Sequence, residues 1–595
     1  MKKKNRTNYF VLIAKSIFLL IIFLRPFFDG FSCPTFNMVS NLFFFALAAI
    51  CIIKLKDKIN FSFAQFFCFF FILLCLFLIP LWPLWYKTLK GFNYLFGLFS
   101  VWVIAKLLFK NEDFGLITKI LVLSLIIIVI YGIYQYFWGL EITREMFMKH
   151  PEMMKNVSET YLDRMASNRI FATFVYPNTF AGYLLMIYPV VFFSIFSEKQ
   201  KIVFRIANII VLSLMVPVFA ATESMGGWFC FLVVSFLMLL LFLIPKKFYF
   251  HFSASILLIG IFLAFIGIKT GQLPKIGSLT DRFSYWIAAT EIFKRHTFIG
   301  VGPGNFSHFY LQFKLPGSME AKFAHNLFFE ILVSTGIIGT IVFVLSIFFF
   351  IKNNVGKILL EENNVMKGFF FGMAAFLLHC LVDFDYADAA ITMFAFAFAG
   401  FVESSSTLKK QRFMRLTKLV AGIIIILVPF ATVIEFKTWH VEKIIDSIKI
   451  GTIKEDPIQV LERASSIFPE PEIFFMQGEI FRYAYEKSRN IEFAEKAVNA
   501  YKRAIEINGF VPLYHRMLSK IYIEINDYSE AEKHLLKMIE IYPTKAIYNM
   551  EIGLFYKKIG RNELAKIYLE KSERMPPSSK DEARMLEEYK NGKSF

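Results

Sequence analysis

Residues 116–134 read LITKILVLSLIIIVIYGIY, a run in which Lys119 is the only charged side chain. About 20 mainly apolar residues are enough to cross roughly 30 Å of hydrocarbon as a helix. Because a bilayer offers no hydrogen bonds to the backbone, a helix is the default spanning structure. Similar runs recur along the chain and predict an all-α, polytopic membrane bundle of about 12–13 transmembrane helices.

The composition of the 595-residue chain also favours a membrane protein. Hydrophobic residues make up 56% of the chain and charged residues 19%, and 75 residues are phenylalanine, which is too apolar for an ordinary soluble multidomain protein. The net charge of +18 could indicate nucleic-acid binding. The basic residues gather in short connections between apolar runs, however, as the positive-inside rule expects. The charge therefore predicts topology, and no nucleic-acid partner is expected.

The apolar runs and the basic connections together predict an orientation. With the basic N-terminus in the cytoplasm, the other basic connections fall on that same side, and the two longest connections, about 139–170 and 269–323, fall outside. The runs begin near Tyr9, Met38, Phe61, Gly91, Leu116, Phe171, Ile202, Gly226, Phe248, Ala324, Gly368, Ala387 and Leu419. Everything after the last run is then extracytoplasmic as well.

After Lys437 the composition changes to charged, amphipathic helix with a period of 34 residues, in which Tyr522 aligns with Tyr556 and Ala531 with Ala565. This is the tetratricopeptide spacing, and it predicts a helical-repeat solenoid. We therefore divide the chain into a membrane domain at 1–436 and a repeat domain at 437–595. The repeats could be a helical spacer or a concave surface that binds a protein partner.

The six cysteines fall mostly inside apolar runs and form neither a CxxC pair nor a Cys/His metal spacing. They are interpreted as packing residues, and no cysteine-based metal site is expected. The basic start of the chain could belong to a signal peptide, but no small-residue cleavage site precedes Arg25 and Pro26. We expect a retained first helix.

We call the connection at about 269–323 the outer loop. One position in it and one just after it could take part in catalysis or binding. Arg282 falls in DRFSYW at 281–286, in a helix expected to lie on the membrane surface. It could pair with a lipid phosphate, or its planar fork could hold a reacting pyrophosphate. His325, in Ala324-His325-Asn326, could act as a base near neutral pH or be a hydrogen-bonded structural residue. The segment GVGPGN at 300–305 lacks the Lys and Ser/Thr of a nucleotide P-loop and predicts a turn.

Two further polar clusters flank apolar runs. Asn168-Arg169 and Asn178 lie at the start of the sixth run, where polar groups at lipid depth need partners. His379, Asp383 and Asp385 lie in HCLVDFD at 379–385. These three residues could indicate acid/base pairing or a metal, although a tight turn that only needs helix caps is the favoured interpretation.

An ordered series of motifs resembles the O-antigen ligase family, membrane transferases that include related polymerases and protein oligosaccharyltransferases. The similarity runs from about Arg169 to Val402. No single motif is specific for the family, but the order of the motifs and their placement against the helices are specific. The motifs are NRIFATFVYPNTFAG at 168–182, DRFSYW, GVGPGNF, AHN at 324–326, STGIIG at 334–339 and HCLVDFD.

The resemblance implies a function in lipopolysaccharide or polysaccharide biosynthesis at the bacterial cytoplasmic membrane. The donor would be an undecaprenyl-diphosphate-linked glycan and the acceptor a hydroxyl of a lipid, glycan or protein, with no metal, nucleotide or other cofactor required. Arg282 would grip the diphosphate and His325 would deprotonate the acceptor. The candidate substrate-binding residues are Arg169, Asn178, Asn326, His379, Asp383 and Asp385.

One departure from the family pattern and several alternatives remain. Family members often carry Ser-Arg-Gly where this chain has Ser224-Met225-Gly226, so Arg169 or a loop lysine compensates, or activity is altered or lost. The same chemistry would also serve repeat-unit polymerisation or protein O-glycosylation. A non-catalytic membrane scaffold or glycan exporter, with repeats that recruit a partner, is a further class. A transporter would need several charges inside the membrane, whereas the charged candidates collect at the outer helix ends.

Overall fold

The computed structural model describes residues 2–28, 33–150, 159–197, 200–243, 277–360, 364–404 and 414–591. All regular secondary structure in these residues is helical, which confirms the fold class that the sequence predicts. The α-helices of the first half are α1 (Lys2–Leu24), α2 (Pro34–Lys54), α3 (Phe63–Leu78), α4 (Trp85–Leu108), α5 (Phe114–Tyr134), α6 (Leu140–Lys149), α7 (Glu159–Ala166), α8 (Pro177–Ile195), α9 (Ile202–Ala221) and α10 (Met225–Leu243).

The second half of the chain holds the remaining helices of the bundle and the repeats. The outer loop and the rest of the bundle comprise α11 (Gly277–Arg295), α12 (Phe306–Phe313), α13 (Leu327–Leu360), α14 (Asn364–His379), α15 (Ala389–Ser404) and α16 (Met414–Ile450). The repeat region comprises α17 (Pro457–Ile467), α18 (Pro471–Ser488), α19 (Ile491–Ile507), α20 (Pro512–Glu524), α21 (Tyr528–Ile541), α22 (Ala546–Lys558), α23 (Asn562–Arg574) and α24 (Lys580–Lys590).

The chain is a multi-pass membrane protein. Within the described residues, nine helical stretches are long and apolar enough to span a membrane: Tyr9–Phe27, Pro34–Lys54, Phe63–Leu81, Trp85–Leu108, Asn111–Lys149, Pro177–Ile195, Ile202–Ala221, Leu327–Ile358 and Met414–Ile450. Met225–Leu240 and Ala389–Ser404 are shorter apolar helices. Together with α14, these stretches account for the predicted runs except that near Phe248, which lies outside the described residues.

Small residues allow close approach of the two helix pairs that support the loop at 380–388. A Cβ atom added at Gly372 of α14 would lie 2.5 Å from the carbonyl oxygen of Met186 in α8. A Cβ atom at Gly400 of α15 would lie 2.8 Å from the carbonyl oxygen of Trp102 in α4. Because close helix packing in membranes relies on such residues, these contacts allow α14 to pack on α8 and α15 to pack on α4.

Helix α13 is broken at Gly336, whose φ of 61° and ψ of −165° are not helical. The break frees two carbonyl oxygens, which accept hydrogen bonds from the turn at 300–305. Val301 N donates to Val333 O at 2.9 Å, and Gly302 N donates to Ser334 O at 2.8 Å. The turn predicted from GVGPGN is therefore present, and it is bound to the STGIIG segment.

The repeats extend from the membrane bundle and contact the outer loop. Helix α16 continues to Ile450 without a break at position 437, and the division of the chain at 436 stays a prediction. The rings of Phe510 and Phe309 have centroids 4.6 Å apart, and Lys545 Nζ lies 2.8 Å from Glu320 Oε1. These contacts place the repeats and the outer loop at the same end of the bundle.

Candidate functional site

Asp383 is the centre of a polar cluster at the outer-loop end of the bundle. It lies in the loop between α14 and α15, and its carboxylate is buried. Oδ2 accepts a hydrogen bond from Arg282 Nη2 at 2.9 Å and another from Asn178 Nδ2 at 2.7 Å. Oδ1 accepts one from the backbone N–H of Phe384 at 2.8 Å. A buried carboxylate needs such donors to remain charged.

Two guanidinium groups meet at this cluster. Arg282 on α11 also donates from Nε to Val382 O at 2.6 Å. Arg169 donates from Nη2 to Asn178 Oδ1 at 2.7 Å and from Nε to Thr222 O at 2.9 Å. Asn178 therefore links Arg169 to Asp383, and the four side chains form one connected network.

His325 lies beside the same carboxylate and is partly exposed. Its Nδ1 is 3.6 Å from Asp383 Oδ1, which is longer than an ordinary hydrogen bond. The imidazole sits between the rings of Tyr285 and Phe384, at centroid distances of 5.3 and 4.6 Å. With 21% of its side chain exposed, His325 is partly accessible to solvent.

The charge balance of the cluster favours an ionised Asp383. Burial alone would raise the pKa of this carboxyl group, but His325 and Arg282 lower it by more, so its pKa lies well below the usual range. The cluster therefore keeps a fixed negative charge beside the imidazole. That charge can orient the His325 side chain.

Backbone contacts set the position of His325. Its φ of +52° is unusual for a residue with a side chain. The preceding residue, Ala324, donates its N–H to Glu330 Oε2 at 2.9 Å and accepts from Trp286 Nε1 at 3.1 Å. Glu330 Oε2 also accepts from Tyr386 OH at 3.1 Å. Glu330 was not among the sequence candidates, although an acidic residue inside an apolar run could have indicated it.

Asn326 has both side-chain polar groups bound to backbone. Oδ1 accepts from the N–H groups of Phe328 and Phe329 at 2.9 and 3.2 Å, and Nδ2 donates to Leu381 O at 2.8 Å. Asn326 therefore caps α13 and connects it to the loop that carries Asp383. Its role in substrate binding stays a prediction.

His379 and Asp385 form a separate pair that is fully buried. His379 Nδ1 lies 2.6 Å from Asp385 Oδ2. Gly182 of α8 packs against the pair, because a Cβ atom at that position would lie 1.9 Å from Asp385 Oδ2. The geometry favours a role in supporting the loop, and substrate contact by these two residues also stays a prediction.

Comparison with known families identifies the two parts of the chain. The family model of O-antigen ligase matches residues 210–344, a segment that carries both Arg282 and His325. This segment is similar to an O-antigen ligase domain. The tetratricopeptide repeat model matches residues 514–545 and 546–579, which confirms the repeats expected from the 34-residue period. Both parts of the resemblance inferred from the motifs are therefore confirmed.

No curated protein matches the chain. Two solved structures, described as crystal structures of MamA and of MamA protein, resemble part of it, each with 20% sequence identity and a TM-score of 0.20. The first covers 27% of this chain and 91% of the MamA chain, and the second covers 28% and 82%.

Met225 marks the departure of the O-antigen ligase-like segment from the pattern expected from the resemblance. It is the first residue of α10, and 63% of it is exposed. A thioether cannot supply positive charge to a phosphate, so the basic groups of the cluster are Arg169 and Arg282. Arg169 contacts Thr222 and is therefore held next to the segment that contains the missing arginine position.

Proposed function

We propose that this protein transfers a glycan from undecaprenyl diphosphate to an acceptor hydroxyl at the outer face of the bacterial cytoplasmic membrane. The observation that carries the proposal is the convergence of Arg282, His325 and Asp383, which come from three separate segments. Transfer from a diphosphate needs positive charge near the leaving group and a base near the attacking alcohol. The cluster contains both.

In the proposed reaction, the acceptor oxygen attacks the anomeric carbon of the donor sugar. A new bond forms between them while the bond from that carbon to the diphosphate oxygen breaks with inversion, and its electron pair leaves with the diphosphate. His325 takes the proton of the hydroxyl and returns it to solvent. Asp383 orients the imidazole and stabilises the cation that forms.

Arg282 and Arg169 would bind the diphosphate and compensate for Met225. A guanidinium group presents planar donors that match phosphate oxygens. Asp383 and Asn178 hold both arginines before the donor arrives, so little reorganisation is needed during the reaction. Asp383 therefore has a positioning role for Arg282 as well as for His325.

The proposed location follows from the basic connections and from the contacts of the repeats. The repeats bind the outer loop through Phe510 and Lys545, which supports a common side for both. Basic residues concentrate in the remaining connections, which the positive-inside rule assigns to the cytoplasm. This favours the extracytoplasmic side for the repeats and the outer loop. The repeats would then be available to bind an acceptor-carrying partner near the site.

Deletion of the gene, followed by analysis of the surface glycan, tests the proposal. Unattached long chains would indicate a ligase, whereas single repeat units would indicate a polymerase. Loss of glycan from proteins alone would indicate protein glycosylation. Normal glycan on all three acceptors would contradict glycan transfer and favour a scaffold or an exporter. Complementation with the wild-type gene, but not with His325→Ala, would link the phenotype to the cluster.

A further inference from the structure

The long helix formed by α5 and α6 contains one wide turn. Residues Gln135–Gly139 are π-helical, whereas α5 and α6 on either side are α-helical. Turns of this kind are rare inside α-helices and occur frequently at functional sites. Gln135 and Arg144 are nine positions apart, so an unbroken α-helix would point them about 180° apart. A π-turn contains about one more residue than an α-turn, which reduces this angle to roughly 80°.

Gln135 binds the segment that carries Arg169. Its side chain is buried, and its carboxamide oxygen accepts hydrogen bonds from the backbone N–H groups of Phe171 and Ala172 at 2.8 and 2.7 Å. Ala172 has a φ of +48°, which is unusual for a residue with a side chain. Such a conformation persists only where the surrounding contacts impose it. The oxygen of Gln135 supplies two of those contacts.

Arg144 binds the same segment on the other side of Arg169. Its Nε donates to Met165 O at 2.7 Å. Its Nη2 donates to Ser167 O at 2.8 Å and to Asn168 Oδ1 at 2.9 Å. A guanidinium group suits this role, because it presents several donors in one fixed plane. One helix therefore holds the chain both before and after Arg169.

Arg169 extends from an irregular segment between α7 and α8, so its orientation depends on the contacts of that segment. Its guanidinium donates to Thr222 O and to Asn178 Oδ1. The next residue, Ile170, donates its N–H to Ala221 O at 3.0 Å. The segment thus lies against the C-terminal end of α9, close to the position where the family arginine is missing. A binding group whose backbone is already ordered loses less conformational entropy when its ligand binds.

We propose that Gln135 and Arg144 are positioning residues, which hold residues 165–172 so that Arg169 can bind the diphosphate in place of the missing family arginine. This inference rests on the proposed function and adds to it two residues that lie outside the polar cluster. Neither side chain would touch the substrate, because both act through Arg169. The π-turn belongs to the same arrangement, since it brings the two side chains to one segment.

Binding of undecaprenyl diphosphate without a sugar tests this role, with the full chain in phosphatidylcholine nanodiscs. We expect Gln135→Met, which keeps the length of the side chain but removes the acceptor oxygen, to weaken binding at least fivefold. Arg144→Met should have a similar effect, and because 27% of the Arg144 side chain is exposed, this variant disturbs the core less. Lys149→Met, at the exposed end of the same helix, is the matched control and should bind like the wild type.

A double-mutant cycle separates positioning from general support of the fold. Arg169→Ala alone should weaken binding about tenfold or more, the loss expected for a hydrogen bond to a charged group. If Gln135 acts through Arg169, adding Gln135→Met to Arg169→Ala should weaken binding less than twofold further. In transfer assays, Gln135→Met should raise the KM for the donor and leave the KM for the acceptor unchanged. A general loss of folded protein would lower kcat instead.

Three results would overturn the inference. Wild-type binding by both Gln135→Met and Arg144→Met would show that the segment needs no support from the helix. A further fivefold loss in the Arg169→Ala background would show that Gln135 acts by another route. Unchanged binding by Arg169→Ala would remove the group that is positioned. If the binding results are as expected but the wild type transfers no glycan, the positioning role stands and the proposed function is contradicted, so the two hypotheses fail separately.

Discussion

His325 is partly exposed and lies beside the buried charge of Asp383. Its replacement can therefore change the chemistry of the site without changing the fold. We expect His325→Ala to insert and fold normally but to lower the rate of glycan transfer by about 10²–10⁴-fold, the usual contribution of a general base. Transfer is measured in membranes that contain equal amounts of protein. His296→Ala, on the same outer segment, is the control. Wild-type product from His325→Ala would remove this imidazole from the mechanism.

Arg282 tests whether the site recognises the shape of a diphosphate or only its charge. Lysine keeps the charge but cannot form two parallel hydrogen bonds. We expect Arg282→Lys to lower transfer by about 10- to 100-fold, since a hydrogen bond to a charged group contributes about 1.5–3 kcal/mol. Arg295→Lys on the same helix, where the guanidinium stacks on Phe313, should be close to wild type. If Arg282→Lys and Arg295→Lys were equally active, position 282 would recognise the diphosphate by simple electrostatic attraction.

Lys314 predicts a pH dependence of stability. Its Nζ is buried without a hydrogen-bond partner, and burial lowers the pKa of this lysine to about 8. The unfolded chain therefore holds the proton more tightly, so folding is penalised below about pH 8 and the penalty fades as pH rises toward the ordinary lysine pKa. Lys314→Met should stabilise the protein by about 1–3 kcal/mol at pH 7. Thermal unfolding at pH 7 and pH 10 tests this, because an equal gain at both values would contradict a charge effect.

The broken helix α13 gives a prediction at the level of an element. A Cβ atom at Gly336 would lie 2.4 Å from the carbonyl carbon of Phe298, and its positive φ adds strain. We expect Gly336→Ala to cost about 1–3 kcal/mol and to impair transfer, because the turn at 300–305 would lose its docking site. Gly356→Ala on the same helix has no neighbour within 4 Å and is the control. Unchanged thermal stability of Gly336→Ala would show that the break is dispensable.

The break at Gly336 also shows which contacts could not be predicted from the sequence. An apolar run and a 34-residue period can each be recognised within a continuous stretch of sequence. The helices and the repeats could therefore be predicted. GVGPGN and STGIIG each gave a local signal, but the hydrogen bonds between them join Val301 to Val333 and cannot be read from either segment. Arg282, His325 and Asp383 were similarly recognised as candidates, whereas their contacts depend on how α11, α13 and the 380–388 loop pack.

For the molecule as a whole, the side of the membrane that the repeats occupy is the main prediction. We expect cysteines at the exposed positions Tyr483 and Ile567 to react with an impermeant reagent in intact spheroplasts, in a variant without the six native cysteines. Lys56→Cys, in an inner connection, should react only after lysis. The reverse pattern would overturn the orientation and separate the repeats from the acceptor that we propose they present.

The contact between the repeats and the outer loop also bears on the order in which the protein is made. Glu320 and Phe309 precede Lys545 and Phe510 by some 200 residues, so during translation the loop emerges long before its partners. The segment that leads to His325 therefore gains these contacts only after the repeats have been synthesised. In a nascent chain without residues 508–545, the loop lacks its contacts with Phe510 and Lys545. Greater protease sensitivity of the loop in chains arrested before residue 508 would reveal this delay.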